Sequence, residues 1–165
     1  MIHYPFTILR HNFAMSAKIK VLFLCTGNSC RSQMAEAWLR HHGGDEFEAF
    51  SAGTDPKPIH PLTFKVMEER GITLEGQRSK NLRDYLGRQH FGYIVTVCDQ
   101  AAQSCPTAWP GVHEVLHIAY EDPAAFNGDE AATLEKFREV RDAIEQGVLA
   151  LITQLRAKQT HPVGA

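Results

Sequence analysis

The chain has 165 residues, 44% of them hydrophobic, which suffices for one domain with an ordinary core. A formal net charge of −2 with dispersed basic residues argues against a nucleic-acid or anionic-membrane surface, and no apolar run reaches the length of a membrane span. The four cysteines, at 25, 30, 98 and 105, are too sparse for a secreted disulfide framework and lack the C-x-x-C spacing of a zinc knuckle. A reducing cytoplasm is therefore the expected compartment, with no metal or other cofactor and a monomeric chain.

Residues 1–16 are interrupted by Arg10-His11-Asn12 and lack the sustained apolar segment of a signal peptide, so they read as a poorly ordered extension or a mis-assigned start. The domain is expected over 17–160, with 161–165 as a short tail. Ile19 to Cys25 is a near-continuous apolar run, as a strand buried on both faces should be. It stops at Cys25, and a loop of Thr26, Gly27, Asn28, Ser29 and Cys30 precedes Arg31 and Ser32, which open a helix. Successive loop amides form a concave anion nest, to which the helix N-terminus adds roughly half a positive charge. The same field is expected to stabilise a Cys25 thiolate, since cysteines so placed have pKa values of about 3.5 to 7.5. Arg31 offers a planar fork for two oxygens, and Ser32 a hydroxyl for the thiolate. The chemistry is a tetrahedral-oxyanion site with a sulfur nucleophile beneath it. A buried strand-end cysteine and an ordinary turn would explain Cys25 and Gly27-Asn28 singly, but not the whole pattern through Arg31-Ser32.

The helix carries Met34, Ala35, Trp38 and Leu39 on one face and ends at Gly43-Gly44, where His41-His42 suit its dipole. Phe47 to Gly53 reads as a second strand, and Thr54-Asp-Pro-Lys-Pro58 as a turn. Pro61 starts a helix running to Arg70, with Leu62, Val66 and Met67 as its apolar stripe. Residues 72–81 look irregular, and a short helix is expected around Asn81 to Leu86. Tyr93 to Cys98 and Val112 to Ile118 make the third and fourth strands. Asp122-Pro123 breaks the chain before a long helix from about Glu130, striped by Leu134, Phe137, Val140, Ile144, Val148, Leu151, Ile152 and Leu155. Alternating β and α segments give one α/β domain with a mainly parallel sheet. Ligands of such sheets sit beyond the strands' carboxyl ends, where Cys25, Cys98 and the Asp122 segment all fall.

Cys98 ends a strand as Cys25 does, and the residues between Cys98 and Cys105 favour a helical turn or two. A helical segment of that length separates the two Cα atoms by roughly 10.5 Å, whereas a disulfide needs about 4.4 to 6.8 Å, so a Cys98–Cys105 bond requires unwinding, which Pro106 favours. The functional reading is a redox relay in which Cys25 is oxidised first, Cys98 attacks it, and Cys105 carries the disulfide outward. Two unrelated cysteines are the alternative. Asp122 could protonate a leaving oxygen if burial raises its pKa, or simply start a turn.

Cys25-Thr-Gly-Asn-Ser-Cys-Arg-Ser32, Ser51-Ala-Gly-Thr54 and Asp122-Pro123 resemble the low-molecular-weight protein tyrosine phosphatase fold, and Cys98-x6-Cys105 resembles the thioredoxin-coupled arsenate reductases built on it. The resemblance runs from about Lys18 to Arg156. It implies four parallel strands in order 2-1-3-4 with helices on both faces, and a loop held by a left-handed Asn28 bonded to Ser51. It implies that Cys25 attacks arsenate while the loop amides and Arg31 hold the oxygens, with Asp122 assisting the leaving group. Cys98 would then attack Cys25 sulfur, arsenite leave, and Cys105 close a Cys98–Cys105 disulfide that thioredoxin reduces; glutaredoxin-coupled relatives of the fold leave that donor open. Tyrosine phosphatases of this type place aromatic residues after Asp-Pro and a histidine after Gly-Ile; this chain has Ala124-Ala125 and Gly71-Ile72-Thr, which suit a small inorganic anion. Some reductases bind potassium near the loop through Asn, Glu, Ser and Asp. Asn28, Glu36 and Ser51 match, but Lys80 stands at the Asp position, and its ammonium is expected to replace the ion and reach toward Glu36. Phosphotyrosine or small-molecule phosphatase activity is the enzyme alternative, and an oxyanion sensor or thiol switch the non-enzymatic one.

Overall fold

The computed structural model describes residues 17–105 and 109–160; the expected extension 1–16, the tail 161–165 and Pro106 lie outside the described residues. Four strands, β1 (Ile19–Cys25), β2 (Phe47–Gly53), β3 (Tyr93–Thr96) and β4 (Glu114–His117), form one sheet in order β2-β1-β3-β4 with every pair parallel. That is the predicted order. β1 is interior, so Val21 to Cys25 are all buried, which is why its sequence is a continuous apolar run. β4 is an edge strand that alternates between half-buried and exposed residues.

Helix α1 (Arg31–Gly43) packs on β1 and β2 and also against α4 (Glu130–Thr160), which packs against α2 (Pro61–Glu68). The predicted faces are buried: Met34, Ala35, Trp38 and Leu39 of α1, and Phe137, Val140, Ile144, Val148, Leu151, Ile152 and Leu155 of α4, with Leu134 half-buried. Buried Arg141 of α4 donates to the Val66 carbonyl at 2.8 Å and pairs with Glu69 at 3.2 Å, tying α4 to the end of α2.

Several elements are shorter than their sequence patterns. α2 stops at Glu68 because the chain turns away through Gly71 at φ 70°, conformational space open chiefly to glycine. The Asn81–Leu86 segment is a single 3₁₀ turn at Leu82–Asp84, capped reciprocally by Asn81 and Asp84. β3 ends at Thr96, because Cys98 leaves the ladder to cap α3 (Asp99–Ser104). β4 keeps only Glu114–His117 of the expected Val112–Ile118.

Gly147 interrupts the α4 stripe for a packing reason. A Cβ at that position would overlap the Tyr120 hydroxyl, so the glycine makes room for a ring from the segment after β4. Replacing it by alanine gains about 1 kcal/mol of helix propensity but incurs about 1–3 kcal/mol of overpacking. Gly147→Ala should therefore lower the urea midpoint without changing the slope; an unchanged or raised midpoint would mean that the tyrosine moves aside without cost.

Candidate functional site

The Cys25–Cys30 loop takes its shape from its carbonyls. Cys25 O accepts from Thr54 N at 3.2 Å, Thr26 O from Asp55 N at 2.9 Å, Gly27 O from Lys57 N at 2.8 Å and Ser29 O from His60 N at 3.1 Å. Asn28 O accepts from Ser79 Oγ at 2.8 Å and Gln33 Nε2 at 3.0 Å. Across a trans peptide the next N–H points opposite to the carbonyl, so tying five carbonyls outward turns the following amides to the concave side. Gly53 allows the supporting strand to come this close: a Cβ there would overlap the Thr26 carbonyl.

Asn28 is fully buried and has φ 46°, the left-handed conformation expected for it. Its Nδ2 donates to Ser51 Oγ at 2.9 Å and to Ser32 Oγ at 2.8 Å, while Oδ1 accepts from Lys80 N at 2.8 Å. Ser51 Oγ donates onward to Glu36, a buried carboxylate that also pairs with Arg40 at 2.6 Å and Lys80 at 3.3 Å. Lys80 Nζ lies 3.4 Å from Ser51 Oγ and 2.8 Å from Arg78 O. These residues do not fit a potassium ion, because an ammonium already lies among the oxygens that would ligate it. Burial lowers the Lys80 pKa, and Glu36 opposes that shift.

Above this base sits Cys25, 3% exposed, at the floor of a cavity of 230 Å³ lined by the loop, Arg31, Lys57, Gln100, Asp122 and Ala124. A hollow of 840 Å³ at the opposite ends of the strands holds no cysteine, so size does not identify the site. Cys25 Sγ accepts the Asn28 amide at 3.0 Å and meets Ser32 Oγ at 2.8 Å. Since Asn28 already donates to Ser32 Oγ, the serine proton is free to point at the sulfur. The expected depressed thiolate nevertheless needs correction. Burial pushes the Cys25 thiol up, against the Ser32 hydroxyl, the Asn28 amide and Arg31, with Cys98 adding to the rise. The walls that shape the cup also keep water from the sulfur, a cost that spacing in a sequence does not display.

Arg31 Nη1 donates to Tyr120 O at 3.0 Å and Nη2 pairs with Asp122 Oδ2 at 3.1 Å, so the segment after β4 fixes the guanidinium beside the cup. Asp122 lines the cavity, but its side chain is 43% exposed, so it is not the buried carboxyl that the sequence reading called for. Cys98 is buried against the residue that follows Cys25: its sulfur lies 3.6 Å from Thr26 Oγ1, whose hydroxyl also donates to Gln100 Oε1 at 3.3 Å. Cys105, half-buried, stands at the other end of α3. Cys30 is buried within the loop, 3.7 Å from Ser29 Oγ.

Lys57, Gln100 and Tyr120 went unnoticed in the sequence. Lys57 sits in a stretch that reads as a plain turn, and Gln100 reaches the rim only because α3 starts directly after Cys98. Among the described residues, no group of three or more His, Cys, Asp or Glu is placed to hold a metal ion, and no helix is long and apolar enough to cross a membrane.

The chain is similar to known proteins in both sequence and fold. The sequence profile of the family described as low molecular weight phosphotyrosine protein phosphatase matches residues 20–161. An arsenate reductase of Halalkalibacterium halodurans is 42% identical over 130 residues, covering 79% of this chain and 91% of that protein. Among solved structures, an arsenate reductase in the phosphate binding state superposes with a TM-score of 0.66 at 29% identity, covering 82% of this chain and 98% of that one. A Corynebacterium glutamicum thioredoxin-dependent arsenate reductase gives a TM-score of 0.66 at 28% identity, covering 87% and 64%.

Because the Ser32 hydroxyl opposes the rise in the Cys25 pKa, Ser32→Ala should move the pH profile of Cys25 alkylation by iodoacetamide further into the alkaline range. Superimposable profiles for variant and parent would mean that the hydroxyl does not serve the thiolate.

Proposed function

Because the chain belongs to the low molecular weight phosphotyrosine protein phosphatase family, we propose that it uses that family's anion loop to reduce arsenate to arsenite, with thioredoxin returning the electrons. One observation carries the choice of chemistry: a second buried thiol, Cys98, lies against the loop that holds the nucleophile, and a third, Cys105, lies one short helix away. Hydrolysis of a phosphate ester needs neither. The relatives named arsenate reductase, one of them in a phosphate binding state, support an oxyanion substrate.

In the proposed reaction Cys25 Sγ attacks arsenic, the loop amides and Arg31 hold the oxygens, and the thiol proton goes to the oxygen that leaves as water, its departure assisted by Asp122 at the mouth. Cys98 then attacks Cys25 sulfur. A Cys25–Cys98 bond forms, and the electron pair of the broken S–As bond stays with arsenic, which falls from arsenic(V) to arsenic(III) and departs as arsenite. Cys105 attacks Cys98, Cys25 leaves as thiolate, and the Cys98–Cys105 disulfide passes to the thioredoxin dithiol, which is oxidised. Ala124 leaves the mouth without an aromatic wall, and Lys57 adds a cation there, which suits a small inorganic anion. The reading takes the chain as a cytoplasmic monomer, with glutaredoxin as the alternative donor.

Cys98→Ser and Cys105→Ser should each abolish multiple-turnover arsenate reduction, followed as NADPH consumption with thioredoxin and its reductase, while aryl-phosphate hydrolysis persists. Turnover surviving both changes would remove the relay and leave a phosphatase using Cys25, Arg31 and Asp122. A glutaredoxin and glutathione arm identifies the donor.

We also propose that the Lys80 ammonium serves as the cation of the loop's base. Thermal midpoints should then rise no more in potassium chloride than in sodium chloride at equal ionic strength; a steep rise specific to potassium would refute this role.

A further inference from the structure

We propose that His117 is a positioning residue for the Cys98–Cys105 segment: it latches the first residue of α3 to the sheet edge and thereby sets how readily the two thiols form a disulfide. The inference rests on the relay above but adds a residue to which that reading gives no part.

α3 has six residues, with Cys98 capping its start and Cys105 its end. Seven residues of helical rise separate the two Cα atoms by roughly 10.5 Å, beyond the about 4.4–6.8 Å that a disulfide spans. Forming the bond therefore unwinds α3, and any contact that holds its first turn favours the dithiol. Two such contacts are internal: Ala101 N donates to Cys98 Sγ at 3.4 Å, and Ala102 N to Cys98 O at 3.1 Å. Thr26 Oγ1 adds contacts from the loop, to Cys98 Sγ at 3.6 Å and Gln100 Oε1 at 3.3 Å, and one further contact crosses to another strand. His117, the last residue of β4, places Nε2 3.1 Å from Asp99 Oδ1 and Nδ1 2.8 Å from Thr96 Oγ1.

Thr96 is buried at the end of β3, and its hydroxyl also faces Leu116 O at 3.3 Å. That pair of partners lets the latch hold with either form of the imidazole. In the neutral ring the threonine hydroxyl donates to Nδ1, which leaves the proton on Nε2 aimed at Asp99. In the imidazolium Nδ1–H donates to the threonine oxygen, whose own proton turns to Leu116 O, and Nε2–H still meets the carboxylate. The ring orientation is set by a buried group of the sheet, while the bond it makes belongs to the segment that must open.

The bond faces solvent, with the His117 side chain 43% and that of Asp99 79% exposed, so its effect is modest. In the equilibrium tested, Cys98 and Cys105 lose two protons and two electrons to form their S–S bond while the cyclic disulfide of oxidised dithiothreitol is reduced to the dithiol. His117→Ala should shift this equilibrium toward the protein disulfide by about two- to five-fold, as should Asp99→Ala. The double variant should go no further than either single change, because both remove one contact. His117→Gln, whose amide can donate to Asp99, should restore part of the shift.

The whole chain is equilibrated over a series of dithiothreitol ratios, and the Cys98–Cys105 peptide pair is quantified by mass spectrometry after acid quench. Aryl-phosphate hydrolysis, measured in parallel, should be unchanged in every variant. Single variants that match the parent, or shifts that add in the double variant, overturn the latch while leaving the relay intact. If the parent forms no Cys98–Cys105 disulfide at any ratio, the relay and the latch fall together.

Discussion

The site depends first on one amide side chain. Asn28 is fully buried in a left-handed conformation, and its hydrogen bonds join four parts of the chain: the loop, α1 through Ser32, β2 through Ser51, and the extended stretch at Lys80. A left-handed residue without these partners would cost free energy and relax. With them, the loop reverses sharply enough for its amides to converge above Cys25. The same side chain orients Ser32, whose hydroxyl then has only the sulfur left to address.

Beneath Asn28 lies a charge that cannot stand alone. Glu36 is buried in α1, and it is tolerated because Ser51, Arg40 and Lys80 all reach its oxygens. Removing one partner of a buried ion pair costs far more than the pair contributes, since the remaining charge stays desolvated. The base of the cup is therefore specified more sharply than it is stabilised. It explains why α1 buries Ser32, Gln33 and Glu36 on the side that faces the loop.

The parts of this structure that could be read from residue order are the ones whose causes are local. The loop is contiguous, so Cys25, Asn28, Arg31 and Ser32 carry their spacing in plain view, and β1 shows its burial as an unbroken apolar run. What arrives from elsewhere was harder to see. Tyr120 holds Arg31 with a backbone carbonyl, for which any residue would serve, so nothing in its identity signalled the contact. Lys57 was absorbed into a proline turn. Cys98 was placed at the end of a strand, yet its sulfur caps a helix, because an extended residue with a free acceptor meets both descriptions. The Cys25 thiol went the other way from expectation, since desolvation depends on how tightly the walls close and the sequence records only which walls exist.

Tying the loop carbonyls to residues 54–60 and to Ser79 has a thermodynamic corollary. The cup exists only when these separated stretches are assembled, so the unfolded chain offers an anion nothing comparable. An oxyanion held there would act as a folding ligand, adding about 2.7 kcal/mol at one hundred times its dissociation constant through mass action alone. The choice of buffer salt would then belong to the definition of this protein's stability, and a melting temperature in phosphate would describe a different equilibrium from one in a buffer whose ions do not fit the cup.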